Sequence, residues 1–525
     1  MSVLNKVYLK YCNSILSELD KIRIKPMLFQ YSCWENLMKQ GANTSFGVEH
    51  SFSSIDSIKE FQKRVPIRDY NSFSPYIERL RSGEEYVLWN QKVGWFAKSS
   101  GTSSNKSKFI PITPDSLNIN HYGGFRLMLA NYIYNNRDSK VFSGKTLTLG
   151  GSVKTDIVGG ELVSKSLSGD LSAILLSNSP KLIEFVRTPS KEIALLDDFN
   201  IKVEKICKET INQDVVSFSG VPSWNLILLN KILEYSGKSS ILDVWPNIEL
   251  FMHGGIGFEP YRGLYKAIIP SNRMNYLENY NASEGYFAFQ DNLDDAGMLL
   301  NLNLGVFYEF IPMNILDRVI SGEISEIPTI SEVELGVNYA VVISTVGGLW
   351  RYLIGDCVEF VELYPHKIKI SGRTQLCINA FGEELMIDNA ERAMVNACRE
   401  CGCSISDFTV APHFMTSDGS GKAIKGYHVW GVEFVNTPSS LEMFESILDR
   451  ELTKVNSDYD AKRSNDATML KLKVISLRNG TFYDWMSSRN KIGGQNKVPR
   501  LYKDSTFLEE LLEINNGGLL IDKKI

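Results

Sequence analysis

The spacing of apolar residues divides the chain into a helical beginning and a longer region in which strands and helices alternate. Between Lys6 and Ile22 the apolar residues recur at helical spacing, mostly on one face: Val7, Leu9, Ile15, Leu16 and Leu19. From Lys92 onward, short apolar runs separated by Gly, Ser, Asn and Pro predict buried strands: KVGWFA, KTLTLG, DVVSFS, IELFMH and NYAVVIS. Thr113-Pro114-Asp115 begins one intervening helix, and another, VPSWNLILLNKILEYSG, ends at Gly237. This alternation predicts an α/β core.

The pattern changes after Gly372. There the order becomes helix (FGEELMIDNAERAMVNACREC), strand (DFTVAP), strand (GYHVWGVEFV), helix (SSLEMFESILDRELTKV) and strand (KLKVISL). This order predicts a small α+β domain with an antiparallel sheet, so we expect a large domain over residues 1–374 and a small one over 375–525. In the large domain, GMLLNLNLGVFYEFIP predicts a hairpin that turns near Asn303–Gly305, which would make its sheets mixed.

Composition and charge narrow the classes of function. The 525 residues are 43% hydrophobic and 22% charged, which is enough for a sizeable core. The 56 Lys and Arg against 61 Asp and Glu give a net charge of -5, which argues against nucleic acid as a partner. The N-terminus carries charges every few residues, and no run reaches the roughly 18 apolar residues of a membrane span. Eight irregularly spaced cysteines do not form a disulfide framework, so a cytoplasmic location is expected.

One segment has the composition of a phosphate-binding loop. Ser99 to Lys108, SSGTSSNKSK, follows a predicted strand and contains five Ser, one Thr, one Gly and two Lys. Small residues let backbone N–H groups approach phosphate oxygens, while hydroxyls add donors and lysine adds charge. The segment does not fit the GxxxxGK[ST] pattern of a Walker A loop. By itself it is also compatible with a solvated surface loop.

Two carboxylates occupy positions that suit nucleotide binding. Glu284 follows Ser283 in ENYNASEG, between two apolar and aromatic runs, where a carboxylate suits Mg²⁺ beside bound phosphate. Asp356 follows Gly355 in LWRYLIGDCVEF, where a carboxylate can accept hydrogen bonds from both hydroxyls of a ribose. Taken singly, each has a plainer interpretation: a solvated turn for Glu284 and a Gly-Asp hairpin turn for Asp356.

The order of the motifs is more specific than any one of them. The chain contains, in this order, SSGTSSNKSKFIP, HGGIGFEPY, YNASEG, FYEFIP, WRYLIGD, ISGRT and KVPR. This series resembles the adenylate-forming (firefly luciferase-like) superfamily, and most closely the Gretchen Hagen family of acyl-acid amido synthetases in its shorter bacterial form. The resemblance covers nearly the whole chain. It implies an α/β adenylate-forming fold, with a large N-terminal domain of mixed sheets and a small, mobile α+β C-terminal lid.

The resemblance also assigns nucleotide-binding residues, position by position. The phosphate loop would comprise Ser99, Ser100, Gly101, Thr102, Ser103 and Lys108. Gly254 and Gly255 would border the adenine, with Tyr280 near its plane. Ser283 and Glu284 would face the α-phosphate and Mg²⁺, and Asp356 the ribose. Arg373 would lie near the hinge and the ribose-phosphate, and Lys497 would be the C-terminal-domain lysine that swings in for adenylation.

The acyl group would be bordered by residues on two other segments. The resemblance places Leu117, His121 and Phe125 on a helix beside the acyl pocket, with Val221 in the segment FSGVPSWNL. For His121, a packed helix face is an equally good interpretation. The aromatic and apolar character of these segments suits an aryl or medium-length acyl group.

Two departures from the plant pattern of this family affect aromatic positions. Tryptophan stands at position 350 where that pattern has tyrosine, and Phe307-Tyr308 reverses its tyrosine-phenylalanine order. Both changes keep an aromatic surface but move a hydroxyl.

The expected function is ATP-dependent adenylation of a small carboxylic acid, followed by acyl transfer to an amine, expected to be an amino acid. Attack of a carboxylate on the α-phosphate brings two anions together, so cations and oriented donors are required; Mg²⁺, Lys497 and the Ser/Thr loop would supply them. An acyl-CoA ligase of the same superfamily and a catalytically inactive nucleotide-binding protein are the alternatives. We expect a monomer or a weak homodimer.

Two competing motifs have less support. Cys398, Cys401 and Cys403 provide three thiols, but no fourth ligand stands at a familiar zinc spacing, and Gly402 marks a helix end there. His253-Gly254-Gly255 is similar to the oxyanion strand of some esterases, but the chain has no GxSxG motif, which argues against a serine hydrolase.

Overall fold

In the computed structural model the chain forms two compact units. One comprises Met1–Gly255 and Ile268–Ile370, and the other comprises Ile256–Ala267 and Ser371–Ile525. The structure describes residues 3–99, 108–151, 153–154, 157–158, 161–162, 167–374, 378, 380–381, 383, 385–416, 423–463, 469–489, 492, 498–502 and 504–516.

The α-helices of the described chain are, in order, α1 Val3–Tyr11, α2 Asn13–Ile24, α3 Pro26–Gly41, α4 Ser45–Glu49, α5 Ile58–Arg64, α6 Tyr70–Arg81, α7 Tyr122–Asn135, α8 Leu171–Asn178, α9 Lys191–Ala194, α10 Phe199–Thr210, α11 Pro222–Ser236, α12 Glu259–Ile268, α13 Leu316–Ile320, α14 Ile387–Cys401, α15 Leu441–Val455, α16 Ser457–Arg463, α17 Thr481–Ser488 and α18 Thr506–Asn515. A wide, π-type segment, Ser116–His121, leads directly into α7.

The strands are β1 Trp95–Ser99, β2 Lys108–Ile112, β3 Lys145–Thr148, β4 Val153–Lys154, β5 Ile157–Val158, β6 Glu161–Leu162, β7 Leu167–Gly169, β8 Arg187–Thr188, β9 Val215–Gly220, β10 Leu250–Gly254, β11 Asn275–Ala282, β12 Gly285–Phe289, β13 Met298–Leu300, β14 Val306–Pro312, β15 Asn338–Thr345, β16 Tyr352–Leu363, β17 His366–Arg373, β18 Ser404–Thr416, β19 Ala423–Asn436 and β20 Lys473–Leu477.

A long mixed sheet organises the larger unit. Its described strands lie in the order β14-β15-β16-β17-β13-β12-β11-β10-β9-β3-β8. Strands β8, β3, β9, β10 and β11 pair in parallel, whereas β11, β12, β13 and β17 pair antiparallel, as do β14, β15 and β16. The predicted strands around β1, β3, β9, β10 and β15 and the predicted mixed character are confirmed.

The apolar runs form strands because both of their faces are covered. In β9 the first four residues are buried, and in β15 every residue after Asn338 is buried. Such continuous Val- and Ile-rich runs are typical of strands with packing on both faces. Helix α11 starts at Pro222 and stops at Gly237, whose φ of +66° suits glycine, so both predicted end signals are confirmed.

The smaller unit has its own sheet and core. Strands β18, β19 and β20 form the sheet, with β18 antiparallel and β20 parallel to β19. The predicted order of helices and strands is confirmed, but the predicted antiparallel sheet is wrong at β20, because α15 connects it to β19 as a crossover. Helices α14 and α15 contribute apolar residues to the core of this unit, among them Ala390, Met394, Phe444 and Leu448.

Two further predictions are corrected. The hairpin expected near Asn303–Gly305 does not form: β13 pairs with β12 and β17, and β14 pairs with β15. The helix expected from Lys6 to Ile22 is divided at Cys12 into α1 and α2, and Val7 is 61% exposed. Within the described residues, no helix combines the length and apolar character needed to cross a membrane.

Candidate functional site

The carboxyl ends of three parallel strands lie side by side in the larger unit. Gly220 of β9 is opposite His253 of β10, and Gly254 of β10 is opposite Asn279 of β11. Ligands of α/β proteins bind outside the carboxyl ends of parallel strands, because backbone groups and loops converge there. This edge of the sheet therefore brings together the predicted site segments that start at Val221, Gly254 and Tyr280.

Glycine is required at the end of β10. A Cβ atom on Gly254 would lie 2.3 Å from the carbonyl oxygen of Asn279 in the neighbouring strand. The next residue, Gly255, has a φ of +88°, a conformation that residues with side chains rarely adopt. Gly254 is therefore explained by the close approach of β11, and the strand ends without a side chain at these two positions.

Tyr280 and Asp356 meet although they are far apart in sequence. The Tyr280 hydroxyl donates a hydrogen bond of 2.7 Å to Asp356 Oδ2, and both residues are buried. Asp356 lies inside β16, where Ala340 pairs with Cys357 but Val342 pairs with Leu353, so the strand bulges at Gly355, which has a φ of +91°. Bulges re-aim side chains. The alternative of a Gly-Asp hairpin turn is therefore wrong.

Ser283 and Glu284 form the turn between β11 and β12. Ser283 is buried, and its Oγ has no hydrogen-bond partner within the described part of the chain. Glu284 is half-buried beside it. The turn is held tightly, because a Cβ atom on Gly285 would lie 2.8 Å from the Phe287 ring and 3.0 Å from Asn120 Oδ1. A buried hydroxyl and a carboxylate thus occupy adjacent positions at this edge.

The Ser-rich segment joins two paired strands. Ser99 at the end of β1 lies opposite Lys108 at the start of β2, so the segment spans a hairpin between them. Lys108 Nζ lies 5.8 Å from the centre of the Tyr70 ring, and the Tyr70 hydroxyl accepts a 2.8 Å hydrogen bond from the backbone N–H of Phe109. Ser100, Gly101, Thr102 and Ser103 lie outside the described residues, as does the side chain of Ser99.

Sequence reasoning missed two cations at the base of this hairpin. The guanidinium of Arg81 lies 3.9 Å from the centre of the Phe109 ring, and Lys98 Nζ lies 6.0 Å from it. With Lys108 they place three cationic residues near the ends of the Ser-rich segment, and Arg81 is also paired with Glu78 at 3.0 Å. The signal for Lys98 was its position one residue before Ser99, whereas Arg81 comes from α6 and no local pattern indicates it.

The predicted acyl-binding residues have different environments. Leu117 and His121 are buried in the π-type segment, Val221 is half-buried after β9, and Phe125 is 39% exposed. His121 Nδ1–H donates to Asn281 Oδ1 at 3.3 Å, whereas Nε2 has no hydrogen-bond partner among the described residues. Burial lowers the pKa of His121 to about 4, so the imidazole is neutral near pH 7.

Two predicted site residues belong to the smaller unit. Arg373 ends β17, and Lys497 lies outside the described residues. The residues that follow Lys497 are fixed to β18, since Val410 N–H donates to the Arg500 carbonyl at 2.8 Å and Tyr502 N–H donates to the Val410 carbonyl at 2.9 Å.

Arg500 is also held through its side chain. Its guanidinium pairs with Asp407 at 3.2 Å and with Glu391, and it donates to the Tyr261 hydroxyl at 3.0 Å. All of these groups belong to the smaller unit, in which α12 supplies Tyr261. The sequence motif KVPR therefore contains a structural anchor, Arg500, three residues after Lys497.

A polar cavity of about 670 Å³ lies elsewhere in the larger unit, lined in part by Arg23, Asn131, Asp291 and Lys367. Its charged groups pair with one another: Arg23 and Lys367 contact the Asp291 carboxylate at 2.7 and 3.1 Å. The Asn131 amide donates to the Asp291 carbonyl at 2.7 Å. The buried charges of this cavity wall, Arg23, Asp291 and Lys367, thus pair with one another.

Comparisons with known proteins agree over most of the chain. Residues 15–274 match the model of the GH3 family N-terminal domain, residues 299–373 that of the GH3 family central domain, and residues 388–506 that of the GH3 family C-terminal domain. The chain is 22% identical to the indole-3-acetic acid-amido synthetase GH3.4 of Arabidopsis thaliana, in an alignment covering 92% of this chain and 91% of that protein.

Two solved structures show the same fold. The AtGH3.15 acyl acid amido synthetase in complex with 2,4-DB superposes with a TM-score of 0.77 and 17% identity, covering 98% of this chain and 96% of that chain. The 2-hydroxyisobutyryl-CoA ligase in its postadenylation state superposes with a TM-score of 0.56 and 13% identity, covering 95% of this chain and 93% of that chain. The fold is the α/β adenylate-forming fold, with a large N-terminal and a smaller C-terminal domain.

Proposed function

Because the chain belongs to the GH3 family of acyl acid amido synthetases, we propose that it adenylates a small carboxylic acid with ATP and transfers the acyl group to an amine, with an amino acid as the acceptor. Three further statements remain predictions from the sequence. They are that the protein is of the bacterial type of this family, that it acts in the cytoplasm, and that it is a monomer or a weak homodimer.

The observation that carries the proposal is the convergence at one edge of the sheet. Gly254 leaves the end of β10 bare, Tyr280 and Asp356 share a 2.7 Å hydrogen bond, and the buried hydroxyl of Ser283 has no described partner. Together these features suit adenine, ribose and phosphate in that order along the edge. A buried hydroxyl without a partner costs free energy, which a phosphate oxygen would offset by accepting its hydrogen bond.

The residue types at this edge also suit a magnesium ion. Mg²⁺ is commonly bound by one or two carboxylates together with substrate phosphates, and Glu284 supplies a carboxylate beside Ser283. Bound there, the ion would neutralise charge on the phosphates. Glu284 would hold it, while Ser283 donates to a phosphate oxygen and Asp356 accepts from the ribose.

The remaining positive charge would come from three places. Lys108 and the Ser-rich segment would contact the outer phosphates, and Arg81 and Lys98 would add to the field at the base of that hairpin. Lys497 of the smaller domain would stabilise the charge that develops on the α-phosphate during attack by the carboxylate, with Arg373 near the hinge and the ribose-phosphate. The acyl adenylate is then activated toward an amine, and positioning suffices for the second step.

Acid-dependent exchange of pyrophosphate into ATP tests the proposal. We expect exchange with at least one acid from a panel of aryl and medium-chain carboxylic acids. With that acid, adding amino acids should release AMP and form an amide, whereas CoA should give no thioester. Thioester formation would make the protein a CoA ligase, and ATP binding without exchange would make it an inactive nucleotide-binding protein.

A matched pair of variants tests the carboxylate assigned to the metal. Glu284→Gln keeps the volume and removes the charge, so adenylation should fall and the Mg²⁺ concentration for half-maximal exchange should rise. Asp294→Asn removes an exposed carboxylate in the same unit and should leave both unchanged. An unaltered Mg²⁺ requirement in Glu284→Gln would show that Glu284 is not a ligand.

A further inference from the structure

His121 leaves a hydrogen-bond acceptor buried and unused. Its side chain is 2% exposed, and Nε2 has no hydrogen-bond partner within the described residues. The amide oxygen of Asn281 faces Nδ1 at 3.3 Å, and an amide oxygen can only accept, so Nδ1 carries the proton. In the neutral ring, Nε2 therefore presents a lone pair, which costs free energy while it is unpaired.

The contacts of its neighbours hold the backbone at His121 in place. The neighbouring Asn120 accepts a 2.6 Å hydrogen bond from the Tyr286 N–H and donates one of 2.9 Å to the Leu304 carbonyl. A Cβ atom on Gly124 would lie 2.3 Å from the Tyr286 ring, so α7 packs directly on β12. The backbone on both sides of His121 is therefore held, and the ring itself is oriented by its hydrogen bond to Asn281.

The position of His121 relates it to the acyl group. Asn281, its partner, lies between Tyr280, which binds Asp356, and Ser283, which on the proposed function faces the α-phosphate. In an acyl adenylate the acyl carbonyl is bonded to the α-phosphate oxygen, so the acyl chain must begin beside Ser283. On the proposed function, His121 would then lie along the first part of that chain, because its partner Asn281 is two residues from Ser283.

We propose that His121 Nε2 selects a carboxylic acid whose acyl part carries a hydroxyl or N–H group, by accepting a hydrogen bond from it. This inference rests on the proposed function and adds the substrate class. A substrate that donates a hydrogen bond to the buried Nε2 is strongly favoured over an otherwise similar acid without that donor. The acid without the donor would leave Nε2 unpaired. Burial lowers the pKa of His121 to about 4, which keeps the lone pair available near pH 7.

The test compares pairs of acids that differ by one donor, using pyrophosphate exchange by the full chain. Suitable pairs are the three ring-hydroxylated benzoic acids against benzoic acid, and indole acids against their N-methyl forms. For at least one pair, kcat/KM should favour the donor-bearing acid by roughly tenfold or more. In His121→Leu the preference should fall to within about twofold, because kcat/KM for the donor-bearing acid falls more than kcat/KM for the donor-free acid. His121→Gln, which keeps an acceptor oxygen, should restore part of it.

Each other outcome is decisive. Equal rates for every pair in the wild type would overturn the inference and indicate a buried water on Nε2, while leaving the proposed function intact. A preference for acids with an added acceptor would mean that Asn281 is turned around, and would also overturn it. Loss of both members of a pair in a His121→Leu protein that melts at the wild-type temperature would indicate a general rather than a selective role. Failure of all acids to support exchange would remove the proposed function and this inference together.

Discussion

Arg351, in the motif WRYLIGD, is a structural residue. Its side chain is fully buried, pairs with Glu309 at 2.9 Å and donates to the carbonyls of Gln62 and Val65 at 2.6 and 2.7 Å. Trp350 beside it packs on Phe46 and is equally buried. Asp356, after the bulge, instead accepts the hydrogen bond from Tyr280. One motif thus combines residues that hold the N-terminal helices to the sheet with one that is assigned to the nucleotide.

The Tyr280–Asp356 pair predicts a graded loss of ATP binding. Asp356→Asn should weaken ATP binding by roughly ten- to 100-fold, because hydrogen bonds to charged groups contribute about 1.5–3 kcal/mol. Tyr280→Phe keeps the ring and removes only the hydrogen bond to Asp356, so its effect should be roughly tenfold or less. Calorimetric titration with ATP measures both. Wild-type affinity in a folded Asp356→Asn protein would contradict the ribose assignment.

Two buried histidines predict that stability falls on mild acidification. Burial lowers the pKa of His121 and of His366 to about 4, from an ordinary value of 6.5. Between pH 6.5 and pH 4 these histidines are protonated in the unfolded chain but neutral in the folded chain. Their contribution to the free energy of unfolding is therefore complete above pH 6.5 and is lost as the pH falls toward 4.

The measurement is the free energy of unfolding in urea between pH 8 and pH 4.5. His366 Nε2–H donates to the Ile330 carbonyl at 3.0 Å, and His366→Gln keeps a donor there while removing the titration. Its slope below pH 6 should be shallower than that of the wild type by up to about 1.4 kcal/mol per pH unit. Both proteins should be insensitive to pH above 7.5, and parallel curves at acid pH would refute the assignment.

At the scale of elements, α7 is positioned by two small residues. Gly123 and Gly124 bring the start of the helix against Leu304 and Tyr286, with no room for a Cβ at Gly124. This contact sets the distance between the start of α7, which His121 immediately precedes, and the hairpin β11–β12. Glycine in a helix lowers its intrinsic stability, so its presence here is explained by packing.

Gly124→Ala should therefore destabilise the protein by about 1–3 kcal/mol, because the added methyl group must displace the Tyr286 ring. The matched control is Gly263→Ala in α12, where a Cβ meets nothing within 4 Å and should be neutral or stabilising by up to about 1 kcal/mol. Thermal unfolding of the two variants makes the comparison. Equal melting temperatures would mean that α7 adjusts freely.

The spacing of apolar residues predicted the positions of strands and helices better than it predicted which strands pair and which side chains meet. The strands at β3, β9 and β10 and both ends of α11 followed from local patterns, because covered strands and helix ends depend on neighbouring residues. The pairing of β13 with β17 and the bond between Tyr280 and Asp356 join distant positions, and no local spacing encodes them. His121 was identified as a candidate, but its free nitrogen depends on the side chain of Asn281, far along the chain.

At the scale of the whole molecule, the proposed chemistry is divided between two units. Gly254, Ser283, Glu284 and Asp356 belong to the larger unit, and Lys497 to the smaller one. Each unit has its own buried core, so a substitution confined to one unit should not unfold the other. The division predicts that binding and adenylation can be separated by mutation.

Lys497→Ala should abolish acid-dependent pyrophosphate exchange, since it removes a point charge from the developing phosphoryl charge. ATP binding should persist, and so should transfer from a chemically supplied acyl adenylate to the amine, which has no phosphorus centre to stabilise. Lys471→Ala, an exposed lysine of the same unit, is the control and should behave as wild type. Equal loss of both half-reactions, or of neither, would contradict the role.

The assignment of α12 to the smaller unit has a consequence for modular exchange. Residues 256–267 are encoded between β10 and β11, yet Tyr261 completes the burial of Arg500, whose other partners are Asp407 and Glu391. A chimera that takes only residues 371–525 from one parent would place Arg500 beside the α12 of the other parent. The buried charges of Arg500 and its partners would then be imperfectly paired, which costs stability. A chimera of two relatives should therefore keep its function only when α12 and the C-terminal segment come from the same parent. The unit that can be exchanged consists of two separate stretches of sequence.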